Sequence, residues 1–381
     1  MNNDYKIVLM KFNKKNIYHY FIYASYSLIF LIAYVISNFK NNKTDDIFLM
    51  GHSFNGNLEG FYKLYNSEYN IKYLTFNKEQ TKSASFFCYY LNFVNVLKLL
   101  NSNLVVASHG ILFHKLIKKR GIKTINIGHG VQTSIVNLSE SELSQFDEVW
   151  VSSKFDQEIL INKCAYKTPN LFTTGFLSHY FLLKNKNAVN KKPLSTKYIL
   201  YAPTATSKLK KDRLSYFHLH NLNLLKKLNN FAFKHDYKII IKPHIKDYKT
   251  KKFNKKTYDF ISKSTNLVYF GDLEYPEDHF PIITDLLITD WSSIYLDFLI
   301  LDKNIIFLNS PKRRKNLVLS EFLNNRFIKR CNTYDELESK LKYYIENANN
   351  KNFLHLKNLI FEGLNINEID KEYRKRLKNL L

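Results

Sequence analysis

The segment Asp285–Leu308, DLLITDWSSIYLDFLILDKNIIFL, constrains the fold of this chain more than any other. It reads as a buried strand (Leu286–Thr289), a polar turn (Asp290–Ser293), the start of a helix, and a second apolar strand (Asn304–Leu308). Short apolar runs without polar alternation suit strands covered on both faces, and a helix between two of them makes a parallel crossover. In open parallel sheets, ligands bind beyond the carboxyl ends of the strands. That edge is where this sequence puts an acidic residue, a tryptophan and two adjacent serines. The N–H groups of a first helical turn suit a phosphate, and Ser292 and Ser293 would add hydroxyl donors. The plainer alternative is that Asp290 or a serine caps the helix.

The same pattern recurs after Asp46. Ile47–Met50 reads as a strand ending in the Gly/Asn/Ser loop 51–57. Leu104–Ala107 ends at Ser108-His109-Gly110, and Thr124–Ile127 ends at Gly128-His129-Gly130. Glu148–Ser152 and Leu171–Thr174 follow, the latter ending at Gly175. Residues 184–197 are polar and basic, contain Pro193, and read as a linker. A second series comprises Tyr198–Tyr201, Lys238–Ile241, Leu267–Phe270 and the strand pair above. The alternation predicts an α/β chain of two Rossmann-like, doubly wound parallel domains, 46–183 and 198–381, facing a cleft. A region 1–45 precedes them. The tail after Thr333 reads as a charged helix, expected to pack back across the N-terminal half.

Asn16–Phe39 contains no Asp, Glu, Lys or Arg, and Ile17–Ser37 is long enough to span a bilayer. Lys11, Lys14 and Lys15 precede it; Lys40 and Lys43 follow it. Spanning would carry the N-terminal lysines outward, against the positive-inside tendency, and the five tyrosines of the segment suit an interface. The reading is therefore an apolar helix on the cytoplasmic face of the membrane, peripheral or monotopic. The alternative is a buried core helix.

The formal charge of +24, from 57 Lys+Arg against 33 Asp+Glu, implies anionic partners: an anionic membrane surface or phosphate-bearing substrates. No nucleic-acid-binding motif accompanies the charge, so no nucleic acid is expected. Cys88, Cys164 and Cys331 lie too far apart for a disulfide framework or a zinc site, which suits a reducing compartment. No P-loop, GxGxxG or HExxH points to ATP, nicotinamide or zinc.

His129 sits between two glycines at a strand end, placed to act as a general base near neutral pH. His109 has the same setting one strand earlier and reads as cleft-lining or structural. Lys242 and His244 flank Pro243 at another strand end. Thr204 opens a hydroxyl-rich loop that leads to Lys208.

Four segments, in order over roughly residues 50–310, resemble the CDP-glycerol glycerophosphotransferase family, whose members build teichoic acids and related capsule polymers. They are Gly128-His129-Gly130, Tyr201-Ala202-Pro203-Thr204, Ile241-Lys242-Pro243-His244, and Thr289-Asp290-Trp291-Ser292-Ser293, which is similar to the family's TDYSS. The resemblance implies a GT-B architecture. It implies transfer of glycerol phosphate or ribitol phosphate from CDP-glycerol or CDP-ribitol to a hydroxyl of a growing polymer or lipid-linked primer, with release of CMP. His129 then matches the catalytic base, and His244 with Lys242 would offset charge on the leaving phosphate. Thr204, Lys208, Thr289, Asp290, Ser292 and Ser293 would line the donor site. Lys208 or Arg213 must replace an arginine the family usually carries after the threonine. Gly175-Phe176-Leu177-Ser178-His179 stands where the family has Gly-x-Pro-Arg-x-Asp. No resident cofactor or metal is required by this chemistry; Mg²⁺ accompanying the diphosphate stays open. Two alternatives remain: a GT-B glycosyltransferase using a CMP- or UDP-activated sugar for capsule or lipooligosaccharide, and a non-catalytic membrane scaffold. The strand-end histidines argue against the scaffold.

Overall fold

The computed structural model describes residues 17–39, 43–51, 53–75, 81–82, 84–89, 92–130, 143–163, 166, 170–189, 196–204, 216–244, 255–275, 279–310, 328–347 and 352–381. They form two compact units: residues 1–180 with 363–381, and residues 181–362.

Unit 1 is built on a seven-stranded parallel sheet in the order β3-β2-β1-β4-β5-β6-β7. The strands are β1 (Thr44–Met50), β2 (Ile71–Thr75), β3 (Phe87–Tyr89), β4 (Ser102–Ala107), β5 (Lys123–Asn126), β6 (Glu148–Val151) and β7 (Leu171–Thr173). Unit 2 has six parallel strands in the order β10-β9-β8-β11-β12-β13. These are β8 (Lys197–Tyr201), β9 (Tyr237–Ile241), β10 (Leu267–Tyr269), β11 (Leu286–Thr289), β12 (Asn304–Leu308) and β13 (Arg330–Cys331). In both sheets the chain runs outward from the first strand, then returns to its other side. The order therefore reverses between β1 and β4 in unit 1, and between β8 and β11 in unit 2. At such a reversal the flanking loops diverge and open a ligand crevice.

The central strands are buried along nearly their whole length, as their unbroken apolar runs require. β2, β3 and β13 escaped the sequence reading. β3 and β13 have three and two residues, too few to carry a periodicity, and pairing with β2 and β12 defines them. The stretch 184–197, read as a linker, is helical as far as Val189 within a helix from Leu177. Its helix-breaking proline comes only at 193. Lys186 there donates to the Leu301 carbonyl at 3.3 Å.

The N-terminal segment forms a helix, Ile17–Phe39. Tyr26, Phe30, Ala33 and Ser37, spaced at helical period, are buried. Phe30 stacks on Phe113 with ring centroids 4.3 Å apart. The opposite face exposes Leu28 (58%), Leu31, Ile32, Val35 and Phe39 (85%). Among the described residues no helix is long and apolar enough to cross a membrane. At the other terminus, the helix Ile369–Leu380 belongs to unit 1, where Tyr373 packs edge-on to Trp150 at 4.6 Å.

Candidate functional site

In unit 1 the carboxyl edge of the sheet is organised by two buried asparagines. Asn57 Nδ2 donates to the carbonyls of Ile127 (2.8 Å) and Gly128 (3.2 Å), while its Oδ1 accepts from the Ser178 N–H (3.1 Å). Asn126 Oδ1 accepts from the Gly128 N–H (2.8 Å), and its Nδ2 donates to the His109 carbonyl (3.3 Å). These bonds fix the turn that presents His129. Gly128 has φ of +67°, and a Cβ there would meet the Phe176 ring at 2.9 Å, so only glycine fits. The side chain of His129 is exposed at this edge. Its ring lies 4.8 Å, centroid to centroid, from that of His109, whose Nδ1 is 2.9 Å from Ser108 Oγ.

At the adjoining Gly175 loop, His179 is buried and packs on Phe176 with ring centroids 5.7 Å apart. Burial pushes its imidazole down to about 4, so it is neutral at physiological pH and carries no charge toward an anion. It lies in the segment that departs from the family's Gly-x-Pro-Arg-x-Asp, and its burial makes it part of the core.

Unit 2 has a matching arrangement at its own strand reversal. The Asp290 carboxylate, after β11, accepts from the Thr204 N–H (2.7 Å, Oδ1) and from the Thr204 hydroxyl (2.8 Å, Oδ2), after β8. Oδ1 also accepts from the Trp291 N–H at 2.6 Å. One level deeper, the Thr289 hydroxyl donates to the Ala202 carbonyl at 2.7 Å. The Asp290–Thr204 pair thus bridges the point where the sheet order reverses. Arg330 closes the turn from below: its Nη1 donates to the Asp290 and Leu308 carbonyls, both at 2.9 Å. Its guanidinium lies 3.6 Å from the Trp291 ring centroid. The indole N–H donates to the Ser310 carbonyl at 2.7 Å. Burial lowers the Arg330 guanidinium to about 10, against the favourable charge of Asp290.

The helix after this turn begins only at Tyr295, and its N-cap is Ile294 without a side-chain cap. Asp290 is therefore a clamp between strands, not a helix cap. Ser292 and Ser293 precede the helix, and neither hydroxyl makes a hydrogen bond among the described residues. Lys242 and His244, both partly buried, leave β9 on the same edge, where the Lys242 N–H donates to the Tyr201 carbonyl (3.0 Å). Lys208 lies outside the described residues. Within unit 1 the structure thus groups His129 with His109. Within unit 2 it ties Thr204, Thr289 and Asp290 into one network, beside Ser292 and Ser293. Among the described residues no group of three or more His, Cys, Asp or Glu side chains is placed to hold a metal ion.

The family model for CDP-glycerol:poly(glycerophosphate) glycerophosphotransferase matches residues 55–358. The chain belongs to this family. No curated protein sequence matches it. Among solved structures it is similar to the wall teichoic acid polymerase TagF. An H548A form has a TM-score of 0.69 at 14% identity, covering 95% of this chain and 96% of that one. An H444N form with CDPG has a TM-score of 0.65 at 15% identity, covering 93% and 94%. The UDP-GlcNAc 2-epimerase of Neisseria meningitidis, bound to UDP-GlcNAc, has a TM-score of 0.54 at 12% identity, covering 88% and 100%. At such identities these are likenesses of fold.

Residues that shape these edges, and three further titratable residues of unit 2, were not singled out from sequence. Asn57, Asn126 and Arg330 act through partners distant in the chain. Asp297 sits one helical turn after the Asp290–Ser293 turn. Burial raises its carboxyl to about 7, with Lys242 opposing the shift. His218 and His220 precede the helix Leu222–Lys234, where the His220 N–H donates to His218 Nδ1 (3.1 Å) and His220 Nδ1 meets Thr257 Oγ1 (3.3 Å). Their His-x-His spacing was the available signal.

His179 gives a pH test. Its folded-state pKa lies below its unfolded value, so the unfolded chain binds the extra proton between about pH 4 and 6.5. Stability therefore rises with pH through that window and is lost as pH falls toward 4. The full effect is on the order of 3 kcal/mol. Urea melts at pH 4.5 and 7 are expected to differ more for the wild type than for His179→Leu; equal pH dependence would mean that His179 is not held neutral.

Proposed function

We propose that this protein transfers glycerol phosphate from CDP-glycerol to a hydroxyl of a growing cell-surface polymer or its lipid-linked primer, releasing CMP. The observation that carries the reading is the unit 2 edge. Two serine hydroxyls that make no hydrogen bond among the described residues stand on a turn fixed by Asp290 at the sheet's reversal point, in a chain of a glycerophosphotransferase family. CDP-ribitol is the related donor that the same chemistry would accept.

The reaction follows from the groups available. The acceptor oxygen attacks the β-phosphorus of the donor. The bond from that phosphorus to the bridging oxygen breaks, and CMP leaves with the bond's electron pair. His129 takes the acceptor's proton, since a neutral hydroxyl is a weak nucleophile. Ser292, Ser293 and Lys242 donate to the diphosphate oxygens, with His244 beside them. Their role is to offset charge as it gathers on the leaving phosphate. Asp290 and Thr289 act by holding the frame, because their side-chain oxygens are already engaged with Thr204, Trp291 and Ala202. Lys208 belongs to the same donor group by its place in the sequence.

The purified protein is expected to release CMP from CDP-glycerol in the presence of a polymer acceptor. His129→Ala should lower turnover about 10²–10⁴-fold with donor affinity nearly kept. The departure at Gly175–His179 keeps a sugar-nucleotide glycosyltransferase as the competing reading. Turnover of a CMP- or UDP-sugar with none of either CDP-alditol would replace the proposal with it, and a His129→Ala enzyme within a few-fold of wild type would remove His129 from the chemistry.

We further propose that the protein works at the cytoplasmic face of the membrane, held there by the exposed side of the helix Ile17–Phe39. Five large apolar side chains project from that side. Arg120 donates to Asn38 at the helix end, and Lys43 to Gly121 nearby, which places cations beside the apolar face. Each lysine near an anionic surface adds about 1 kcal/mol. Truncating the helix would remove Tyr26, Phe30 and Ala33 from the core, so point changes are the cleaner test. Leu28→Glu with Leu31→Glu is expected to abolish flotation with anionic vesicles while the protein stays folded; undiminished flotation would rule out this face.

A further inference from the structure

We propose that His109 is a positioning residue for His129, holding the imidazole in the orientation from which it takes the acceptor proton; this rests on the base role given to His129 above. His109 stands at the carboxyl end of β4, at the strand-order reversal of unit 1, and β5 is the next strand. Ala107 and Asn126 are paired across β4 and β5, so the two loops leave the sheet side by side. The rings meet at 4.8 Å between centroids with planes inclined by 45°. This is ring packing.

The contact is set by the backbone. One buried side chain, Asn126, holds the His109 carbonyl through Nδ2 and the Gly128 N–H through Oδ1. It therefore fixes the spacing of both loops at once. Ser108 Oγ, 2.9 Å from His109 Nδ1, holds the second ring in its plane. The glycines on either side of His129 bring no side chain against its ring, and a Cβ built on Gly130 meets nothing within 4 Å. The His109 ring packs against the His129 ring. A base must lie within hydrogen-bond reach of the proton it abstracts, and packing against the His109 ring limits the orientations open to the His129 imidazole.

The test uses the full-length protein with His109→Ala, which removes the ring, and His109→Phe, which keeps a flat ring without its nitrogens. His109→Ala is expected to lower kcat about ten- to a hundred-fold with KM for CDP-glycerol nearly unchanged, the scale of a misplaced catalytic group. His109→Phe should recover most of that loss. A second readout needs no substrate: the rate at which diethyl pyrocarbonate modifies His129, followed by peptide mass spectrometry. That rate should change in His109→Ala and return in His109→Phe. Unchanged His129 reactivity in His109→Ala, unchanged kcat, or a Phe variant as slow as Ala would each overturn the proposal. If no CDP-alditol is turned over, the donor reading fails separately and His129 reactivity alone decides. Should His109→Ala not fold, His109→Asn carries the same expectations.

Discussion

The Asp290 carboxylate accepts three hydrogen bonds from the loops after β8 and β11, two to Oδ1 and one to Oδ2. The rest of the unit 2 edge depends on it. Hydrogen bonds to a charged acceptor contribute roughly 1.5–3 kcal/mol each, and losing the acceptor would leave the Thr204 and Trp291 N–H groups without a partner. Arg330 reinforces the same turn through the Asp290 carbonyl and the Trp291 ring. Of the serines that follow, Ser292 is half-buried and Ser293 exposed, and neither hydroxyl makes a hydrogen bond among the described residues.

Unit 1 solves the same problem with neutral side chains. Asn57 and Asn126 hold the Gly128–Gly130 turn by five hydrogen bonds to backbone groups. The contrast suits the proposed chemistry. These two amides fix the geometry of the turn without adding charge to it. In the second unit the clamp's negative charge is offset by Arg330, and Lys242 lies near Asp297.

Much of this was legible in the sequence because the informative positions are local. A buried apolar strand ending in Gly-His-Gly or Asp-Trp-Ser-Ser names its own edge, and the four family segments fall on such edges. What escaped detection is defined by contacts across the chain. Asn57 reaches residues 70 and 71 positions away and Arg330 reaches Asp290 across 40; Asp290 and Thr204 were each named from sequence, but not their contact across 86. An asparagine or arginine carries no local mark of such a role. The two faces of the N-terminal helix were not legible, because buried Tyr26, Phe30, Ala33 and Ser37 and exposed Leu28, Leu31, Ile32, Val35 and Phe39 lie in one uncharged run. Lys208, singled out from sequence, lies outside the described residues.

The measurement that bears most directly on this account is calorimetric titration of Asp290→Ala with CDP-glycerol, alongside wild type, with folding checked by circular dichroism. If the clamp holds the donor-binding edge, affinity falls at least about tenfold, the equivalent of one lost hydrogen bond to a charged group, in a variant that remains folded. An affinity within twofold of wild type would contradict it.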